Sequence, residues 1–573
     1  MDGERNTTTI LNVPKELWRY CIPKERVMMM RLTSRTGKDK IDGSSGVIDV
    51  YLNMRFWYED RRSNECEKRK IILDKVGGLT EKFKIKSLGL MHFGMTSTDL
   101  PQLTKVLEKC TDLECLELAH NDFGVGLQGL IGIESLTSVT TLNLKQVNRT
   151  GPFVLGLEDL VRYFPFLCHL SLEGNNLGTM KRGGSTESMG LRPALKFLCL
   201  KENYVRGDGL LCVKEVIRKC PGLTDLDLSH NSFQSVDVDT LVGMFSECKL
   251  LSSLNFNDND MEHETDLDFT LANALSPLEM LTDLNLNGNR LGGFLYMSVV
   301  LSKCRGIQYL DLAFALIGDS GATTLAGVLA GCEQMRMLNL SSNHIGASGT
   351  EAIAGGIGSC VNLKGLTMSN NNIWERGANA LAEVVGNIKF LALSNCGLGA
   401  RGCAALAGLP FQQLEDLDVS RNSMHEEGVR VIAEAVGTWP VLTSLSISGN
   451  VLGVGGMYAV VRVLKEAKGL TSLEISRNNV QDEGVGILTD GLVACETLQE
   501  LSLNNNNITD AGATCLASVL PRCTALTELF ISYNENIGSA GVKALKEAEE
   551  GSTLTVDVRK RLWKRVGGGG AGR

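Results

Sequence analysis

Histidine and cysteine, the residue types that most often carry chemistry, are spread along this chain without grouping. The seven histidines are His92, His120, His169, His230, His263, His344 and His425. None has the spacing of a metal-binding pair, and we expect none to activate a Cys or Ser nucleophile. Cys110 and Cys115 are too far apart for a CxxC motif. We therefore predict no catalytic residue, no metal site and no cofactor, and we expect a protein that is not an enzyme.

Two polar stretches raise the question of a binding site. In "LSLNNNNITDAG", residues 501–512, four asparagines follow a short apolar alternation. In "GTMKRGGSTESMGLRP", residues 178–193, glycines are close together, but no GK[ST] follows them. A phosphate-binding loop needs that Lys and hydroxyl, so we predict only a surface loop for this second stretch.

The four asparagines belong to a sequence repeat of about 28 residues. "LTSLEISRNNV" at 470 aligns with "LQELSLNNNNI" at 498, and the unit reads LxxLxLxxNxL followed by xxxGxxxLxxxL. The LxLxx half alternates and predicts a strand, whereas the second half has helical spacing. One unit cannot bury its own apolar face, so we expect the units to stack. About seventeen copies begin at Ile85, Leu113, Val139, Leu167, Leu195, Leu223, Leu251, Leu281, Ile307, Met335, Leu363, Ile388, Leu414, Leu442, Leu470, Leu498 and Leu526.

Asn506 is one of a column of asparagines that end the predicted strands. An amide at this point can satisfy backbone groups that the turn leaves unpaired. The other members are Asn175, Asn203, Asn231, Asn259, Asn289, Asn343, Asn371, Asn422, Asn450, Asn478 and Asn534. A glycine recurs six residues after the asparagine position and should let neighbouring helices nest: Gly321, Gly349, Gly377, Gly402, Gly428, Gly456, Gly484 and Gly512. We interpret both columns as architecture.

The repeat closely resembles the leucine-rich repeat, in its ribonuclease-inhibitor-like class. The resemblance implies an α/β fold, a leucine-rich repeat solenoid or horseshoe with a parallel sheet on the concave face and helices on the convex face. We expect the solenoid over residues 81–560, an N-terminal cap over 1–80 and a disordered basic, Gly-rich tail over 561–573. "VIDVYLNMRFWYEDRR" (47–62) predicts a degenerate first strand, with Phe56 or Trp57 closing the core, and "LTVDV" (554–558) predicts a last half repeat.

Composition limits the partners and the compartment. The net charge is −9 with Lys and Arg scattered along the chain, so we do not expect nucleic acid as a partner. No apolar run has the length of a signal peptide or a membrane span, so we expect a cytoplasmic or nuclear protein that does not contact membranes. Eight of the 17 cysteines share one repeat position, which indicates small buried side chains in a reducing compartment. They are Cys110, Cys220, Cys248, Cys304, Cys332, Cys360, Cys495 and Cys523.

The segment "VPKELWRYCIPKERVMMMRLTSR", residues 13–35, resembles a shortened F-box, a motif with an apolar helix before its final Arg. The resemblance implies that 13–36 docks the adaptor of an SCF-type ubiquitin ligase. The adaptor-binding residues would be Pro14, Leu17, Ile22, Pro23, Val27 and Leu32. About four residues of the pattern are missing after Ile22, and the alternative is a plain amphipathic cap over the end of the solenoid.

Outward positions of the predicted strands carry many carboxylates and a few large apolar side chains. Exposed aromatics that no packing requirement explains are candidates for binding hot spots. We predict that Phe197, Tyr309, Asp311, Phe314, Met337 and Phe390 bind a protein partner with basic and apolar groups.

Three functions are compatible with these features. The first is a non-catalytic protein-binding scaffold or receptor, coupled to ubiquitination if 13–36 is F-box-like. The second is a GTPase-activating protein, since the Ran activator shares this repeat class. The third is a relative of the repeat half of NOD-like sensors, because the segment 1–80 is too short for a nucleotide-binding domain. The sequence does not predict the oligomeric state.

Overall fold

In the computed structural model, residues 29–34, 47–53, 65–81, 83–148, 157–179, 194–259, 267–409, 411–550 and 552–558 are described here. The chain divides into two compact units, unit 1 over Met1–Asn289 and unit 2 over Arg290–Arg573. Apart from three longer strands at the start of unit 1, each unit repeats one motif, a three-residue strand followed by a turn and, in most repeats, a helix. No helix of the described residues is long and apolar enough to cross a membrane.

Unit 1 contains a sheet whose strands follow chain order. Strand β1 is antiparallel to β2, and β2 to β10 pair in parallel, each with the next. The strands are β1 Met29–Ser34, β2 Val47–Asn53, β3 Lys84–Met91, β4 Cys115–Glu117, β5 Thr141–Asn143, β6 His169–Ser171, β7 Phe197–Cys199, β8 Asp225–Asp227, β9 Ser253–Asn255 and β10 Asp283–Asn285. The helices are α1 Glu65–Leu79, α2 Leu100–Leu107, α3 Leu157–Tyr163, α4 Asp208–Lys219, α5 Val238–Phe245 and α6 Leu267–Leu275.

Unit 2 is more regular. Its strands β11 to β20 also pair in parallel, each with the next along the chain. They are β11 Tyr309–Asp311, β12 Met337–Asn339, β13 Gly365–Thr367, β14 Phe390–Ala392, β15 Asp416–Asp418, β16 Ser444–Ser446, β17 Ser472–Glu474, β18 Glu500–Ser502, β19 Glu528–Phe530 and β20 Thr555–Asp557. The helices are α7 Leu295–Lys303, α8 Gly318–Leu329, α9 Ala347–Ile357, α10 Trp374–Ala382, α11 Gly399–Ala407, α12 His425–Ala435, α13 Gly456–Glu466, α14 Gln481–Ala494, α15 Asp510–Val519 and α16 Ser539–Glu549.

The middle residue of each short strand points into the core. In unit 2 the register stacks leucines from strand to strand, so that Leu310 lies beside Leu338 and Leu338 beside Leu366. All three are at most 3% exposed. The helices cover the other side of this row with the leucines and alanines of their inner faces, such as Leu325 and Ala322 of α8. A contiguous apolar layer between strands and helices therefore forms the core of each repeat.

The asparagine column has the predicted structural role, as Asn506 shows. Its side-chain nitrogen donates to the Ile475 carbonyl oxygen at 3.0 Å, and its oxygen accepts from the Asn478 backbone nitrogen at 2.7 Å. Its own backbone nitrogen donates to the Asn534 side chain at 2.7 Å. Asn506 thus joins its repeat to the repeats on both sides, which satisfies backbone groups at the turn. Asn121 does the same but was missed by the sequence interpretation.

The glycine column also has the role that its spacing predicts. At Gly484 a Cβ atom would lie 2.8 Å from Val480 Cγ1 and 3.1 Å from Met457 Cγ of the preceding helix. At Gly377 it would lie 3.0 Å from the Cβ atom of Thr350 in α9. These distances are shorter than ordinary carbon contacts, so only glycine allows adjacent helices to pack this closely. The eight cysteines at the shared repeat position are all buried and unpaired by disulfides.

Both ends of the repeat array differ in part from expectation. Strand β2 pairs in parallel with β3, so the predicted first strand is confirmed for Val47–Asn53 and the stack begins before residue 81. Strand β20 confirms the last half repeat. The F-box resemblance implies a helix before Arg35, but Met29–Ser34 is a strand, because its backbone pairs with β2. Phe56, Trp57, most of the loop 178–193 and the tail 561–573 lie outside the described residues.

Candidate protein-binding surface

The side chains that face outward from β11–β20 form one surface, which we call the outer face of unit 2. Each strand contributes its first and third residues, because its middle residue is buried. The register sets two rows across the strands, one beginning Tyr309, Met337, Gly365 and the other Asp311, Asn339, Thr367. These twenty positions include no Lys, Arg or His. The surface is therefore apolar and acidic.

Four of the predicted binding residues lie together on the first four strands of this face. Tyr309 lies beside Met337 in the register, and Gly365 separates Met337 from Phe390. The Sδ and Cε atoms of Met337 occupy the space that a side chain at Gly365 would need. Met337 is consequently only half-buried, while Tyr309 and Phe390 are 43% and 41% exposed. Glycine at 365 thus allows a continuous apolar row across four strands.

Phe314 lies in the turn after β11, three residues beyond Asp311. Its backbone has a φ of 55°, in the left-handed region that a bulky residue rarely adopts. The position before each ladder asparagine repeatedly takes this conformation, and asparagine occupies it in other repeats, for example Asn370 and Asn505. Phe314 is 56% exposed and Leu316, two residues later, is 41% exposed. We call Tyr309, Asp311, Phe314, Met337 and Phe390 the central patch.

Leu316 was missed by the sequence interpretation because the repeat that begins at Ile307 has Ala315 in place of the asparagine. The Asn343 side chain of the next repeat still accepts from the Ala315 backbone nitrogen at 2.9 Å. The turn is therefore kept, and it exposes the residues on either side of Ala315. Alignment of this repeat to the others by its strand would have identified Leu316 at the position of His344.

Phe197, the sixth predicted residue, lies in unit 1. It is half-buried, and its ring lies 6.1 Å from the ring of His169, its register partner on β6. Its environment therefore differs from that of the exposed aromatics in unit 2.

Carboxylates dominate the other end of the outer face, on β15–β20. They are Asp416, Asp418, Glu474, Glu500, Glu528 and Asp557, which we call the acidic rows. Burial, and then the neighbouring Asp418, raise the pKa of Asp416, although a hydrogen bond from Ser444 acts in the opposite direction. The acidic rows thus concentrate negative charge on β15–β20, and one of their carboxylates, Asp416, is partly buried.

Unit 1 has a cluster of titratable groups on its first strands. Burial raises the pKa of Tyr51 to about 12 and that of the Cys115 thiol to about 11, and it also raises the pKa of Glu117. A thiol with such a pKa stays protonated at neutral pH, so it is a poor nucleophile. In the described part of the chain, no group of three or more His, Cys, Asp and Glu side chains could hold a metal ion.

Two histidines that sequence spacing did not connect are in contact. The rings of His92 and His120 stack with centroids 4.0 Å apart and an angle of 8° between their planes. His120 Nδ1 lies 3.0 Å from the Gln146 side-chain oxygen. The signal in the sequence was the separation of the two histidines by the length of one repeat, which places their side chains on adjacent repeats.

The fold is a leucine-rich repeat solenoid. Four segments match the family model described as Leucine Rich repeat: 332–354, 470–486, 494–517 and 522–546. Among curated proteins, Protein NLRC5 of Homo sapiens is 25% identical over 289 residues, which are 42% of this chain and 15% of that protein. Protein NLRC5 of Ictalurus punctatus is 25% identical over 180 residues, which are 31% of this chain and 10% of that protein. The chain therefore aligns with less than a fifth of each relative.

Two solved structures are similar. One is the crystal structure of a TLR13–ssRNA13 complex, with 16% identity, a TM-score of 0.43, and coverage of 79% of this chain and 68% of that chain. The other is the crystal structure of a complex of Rad7 and Elc1 in yeast, with 14% identity, a TM-score of 0.42, and coverage of 86% of this chain and 92% of that chain.

Proposed function

We propose that this protein is a non-catalytic scaffold that binds another protein through the outer face of unit 2. The observation that carries the proposal is the row of large apolar side chains on β11–β14, in which Tyr309 and Phe390 are exposed and Met337 is half-buried. Strand pairing and the core do not need these side chains, since Ser444 and Ser472 occupy the same row farther along the sheet. Large apolar residues at such positions are typical of interface hot spots.

The test is a double substitution, Tyr309→Ala with Phe390→Ala, in the full-length protein. Proteins captured by the unchanged chain and by the variant are compared quantitatively by mass spectrometry. A matched control is Tyr458→Ala, because Tyr458 is 69% exposed but lies on helix α13. We expect the double substitution alone to remove a specific partner while the melting temperature is unchanged. Equal capture by all three proteins would reject this surface.

A role related to that of NOD-like sensors is the second candidate. It is favoured by the similarity to Protein NLRC5, which extends over 289 residues of this chain. The equal spacing of β15, β16, β17 and β18 along the chain, each with its own helix, also supports the ribonuclease-inhibitor-like class of repeat. If the scaffold belongs to a sensor assembly, its captured partners should include signalling proteins, and their absence would argue against this candidate.

Coupling to an SCF-type ubiquitin ligase is the finer form of the scaffold hypothesis. The strand at Met29–Ser34, paired with β2, favours the cap alternative for the segment 13–36. Five of the six proposed adaptor-binding residues, Pro14 to Val27, lie outside the described residues, and Leu32 lies on β1. The purified adaptor should bind the full chain and lose binding to Leu17→Asp if the F-box alternative holds. If the adaptor binds neither the full chain nor the Leu17→Asp variant, the cap alternative remains for this segment.

A further inference from the structure

We infer that the partner of the outer face of unit 2 is a polypeptide segment with apolar residues at one end and a run of Lys or Arg at the other. This inference rests on the proposed function and adds the chemistry and direction of the bound segment. In this assignment the apolar end lies on β11–β14, and the basic end lies across the strands from β15 toward β19.

The outer face changes character between β14 and β15. Its eight positions on β11–β14 carry Tyr309, Met337 and Phe390 and a single carboxylate, Asp311. Its twelve positions on β15–β20 carry the six carboxylates of the acidic rows. A partner that was only apolar would desolvate these carboxylates without compensation, which is unfavourable. A partner that was only basic would leave the apolar row exposed.

Five carboxylates of the acidic rows, those on β15, β17, β18 and β19, are available to a partner's cations. Among the described residues, no Lys or Arg forms an ion pair with Asp416, Asp418, Glu474, Glu500 or Glu528. Lys389, at the border of the face, is instead paired with Glu415 at 2.5 Å. Arg421 and Arg477 lie beyond the ends of β15 and β17, so these five carboxylates outnumber the two nearby cations. The remaining negative charge is complementary to Lys and Arg.

The spacing of the strands gives the length of the segment. Adjacent strands lie about 4.8 Å apart, so β12 and β17, at the centres of the two regions, are separated by roughly 24 Å. An extended chain covers about 3.3 Å per residue, which corresponds to about seven residues from the centre of the apolar anchor to the centre of the basic run. A Lys or Arg over β15 would also favour the ionised form of Asp416, whose pKa is raised mainly by burial.

The probe is a labelled synthetic peptide with three Leu or Phe residues at one end, a Ser/Gly spacer of about three residues and five Lys or Arg residues at the other end, which places the two centres about seven residues apart. A second peptide has the same composition in scrambled order. Binding to the full-length protein is measured by fluorescence anisotropy at two salt concentrations. We expect at least tenfold tighter binding of the ordered peptide, with affinity that falls as salt rises. Equal binding of the two peptides would mean unspecific attraction and would overturn the inference.

Neutral substitutions identify the carboxylates. Replacing Glu474, Glu500 and Glu528 with Gln should weaken the binding of the ordered peptide to the protein at least tenfold. The matched control replaces three carboxylates that lie outside the outer face, Glu333, Glu483 and Glu496, all of them exposed, and should leave affinity within twofold. If the two triple variants behave alike, the acidic rows do not bind the basic end and the inference is wrong.

Two further outcomes separate this inference from the proposed function and from another occupant. A captured natural partner whose binding depends on Tyr309 and Phe390 but not on the three glutamates would refute the inference and leave the scaffold function intact.

The chain's own "RKRLWKRV", residues 559–566, is also basic and apolar and is the alternative occupant of the face. If the peptide binds only after Arg559, Lys560 and Arg561 are replaced with Ser, the face belongs to this segment and not to a partner. Equal binding before and after that change supports the inference.

Discussion

The two units use the same short strand but differ in the helices that come after it. In unit 2, helices α8 to α16 have 9 to 14 residues, and each begins shortly after the turn. In unit 1, α2 and α5 have 8 residues each, and the segment between β4 and β5 contains only two 3-10 helices. Among the described residues of unit 1, the longest helix that follows a three-residue strand is α4, with 12 residues.

A glycine at one repeat position is found mainly with the regular helices of unit 2. Unit 2 carries it in successive repeats, and unit 1 carries it at Gly209 within α4. A Cβ at Gly209 would lie 3.0 Å from the Leu177 carbonyl oxygen, the same type of close approach as in unit 2. In the next repeat, Asp237 occupies this glycine position, and its carboxylate accepts hydrogen bonds from the Gln234 and Gly207 backbone nitrogens. Regular helices are thus found where glycine permits backbone contact, whereas the asparagine column is common to both units.

The asparagine column should have the largest effect on stability. Asn450 is buried, and its side-chain nitrogen donates to the Val419 and Ile447 carbonyl oxygens at 3.0 Å. Asn450→Ala leaves these groups and the Asn422 backbone nitrogen unsatisfied, so we expect a loss of about 3 kcal/mol in the free energy of unfolding, measured in urea. Asn379→Ala, at an exposed position of α10, is the control and should change it by less than about 0.5 kcal/mol. Similar losses in the free energy of unfolding for both variants would show that the asparagine column does not stabilise the fold.

The glycine position is tested within a single helix, α14. Gly484→Val should destabilise the protein by about 2 kcal/mol, because the new side chain meets Val480 and Met457. Gly486→Ala is the matched control, since its Cβ would meet nothing within 4 Å and alanine is the better helix former. We expect no loss at Gly486, and thermal unfolding of both variants provides the comparison. A neutral Gly484→Val would remove our explanation of the regular helices.

The central patch should show a conflict between stability and binding. Phe314 holds a left-handed backbone with a φ of 55°, which glycine adopts without strain. Phe314→Gly should therefore increase the free energy of unfolding by up to about 1 kcal/mol, while it weakens partner binding. Leu325→Ala in the core should instead decrease the free energy of unfolding strongly, because Leu325 is fully buried. A destabilised Phe314→Gly protein would indicate that the ring has a structural role.

The smallest expected effect concerns acid stability. Hydrogen bonds from Ser348 and from the Gly346 and Gly349 backbone nitrogens lower the pKa of Asp319. Because this pKa is lower in the folded protein, the stabilisation is present above the unfolded pKa of about 4 and is lost as pH falls through the folded value. Asp319→Asn should flatten the dependence of melting temperature on pH below about 4. An unchanged slope would contradict this assignment.

The strands, the asparagine column and the core could be predicted from the sequence because each has a fixed period of one repeat. The apolar row was identified from outward positions, but its continuity could not be, since it depends on Met337 lying over Gly365. The contact of His92 with His120 required knowledge of the register. The strand at Met29–Ser34 was missed because its pairing with β2 is tertiary, and an apolar run of this length does not distinguish strand from helix.

The central claim is that the exposed apolar row of unit 2 binds a protein. The most direct measurement is the dissociation constant of the captured partner for the unchanged chain, for Tyr309→Ala with Phe390→Ala, and for Tyr458→Ala. Two interface aromatics at about 1.4 kcal/mol each give an expected loss of about 100-fold for the double substitution, and we expect no change for Tyr458→Ala. Three equal constants would place the binding site elsewhere on the protein.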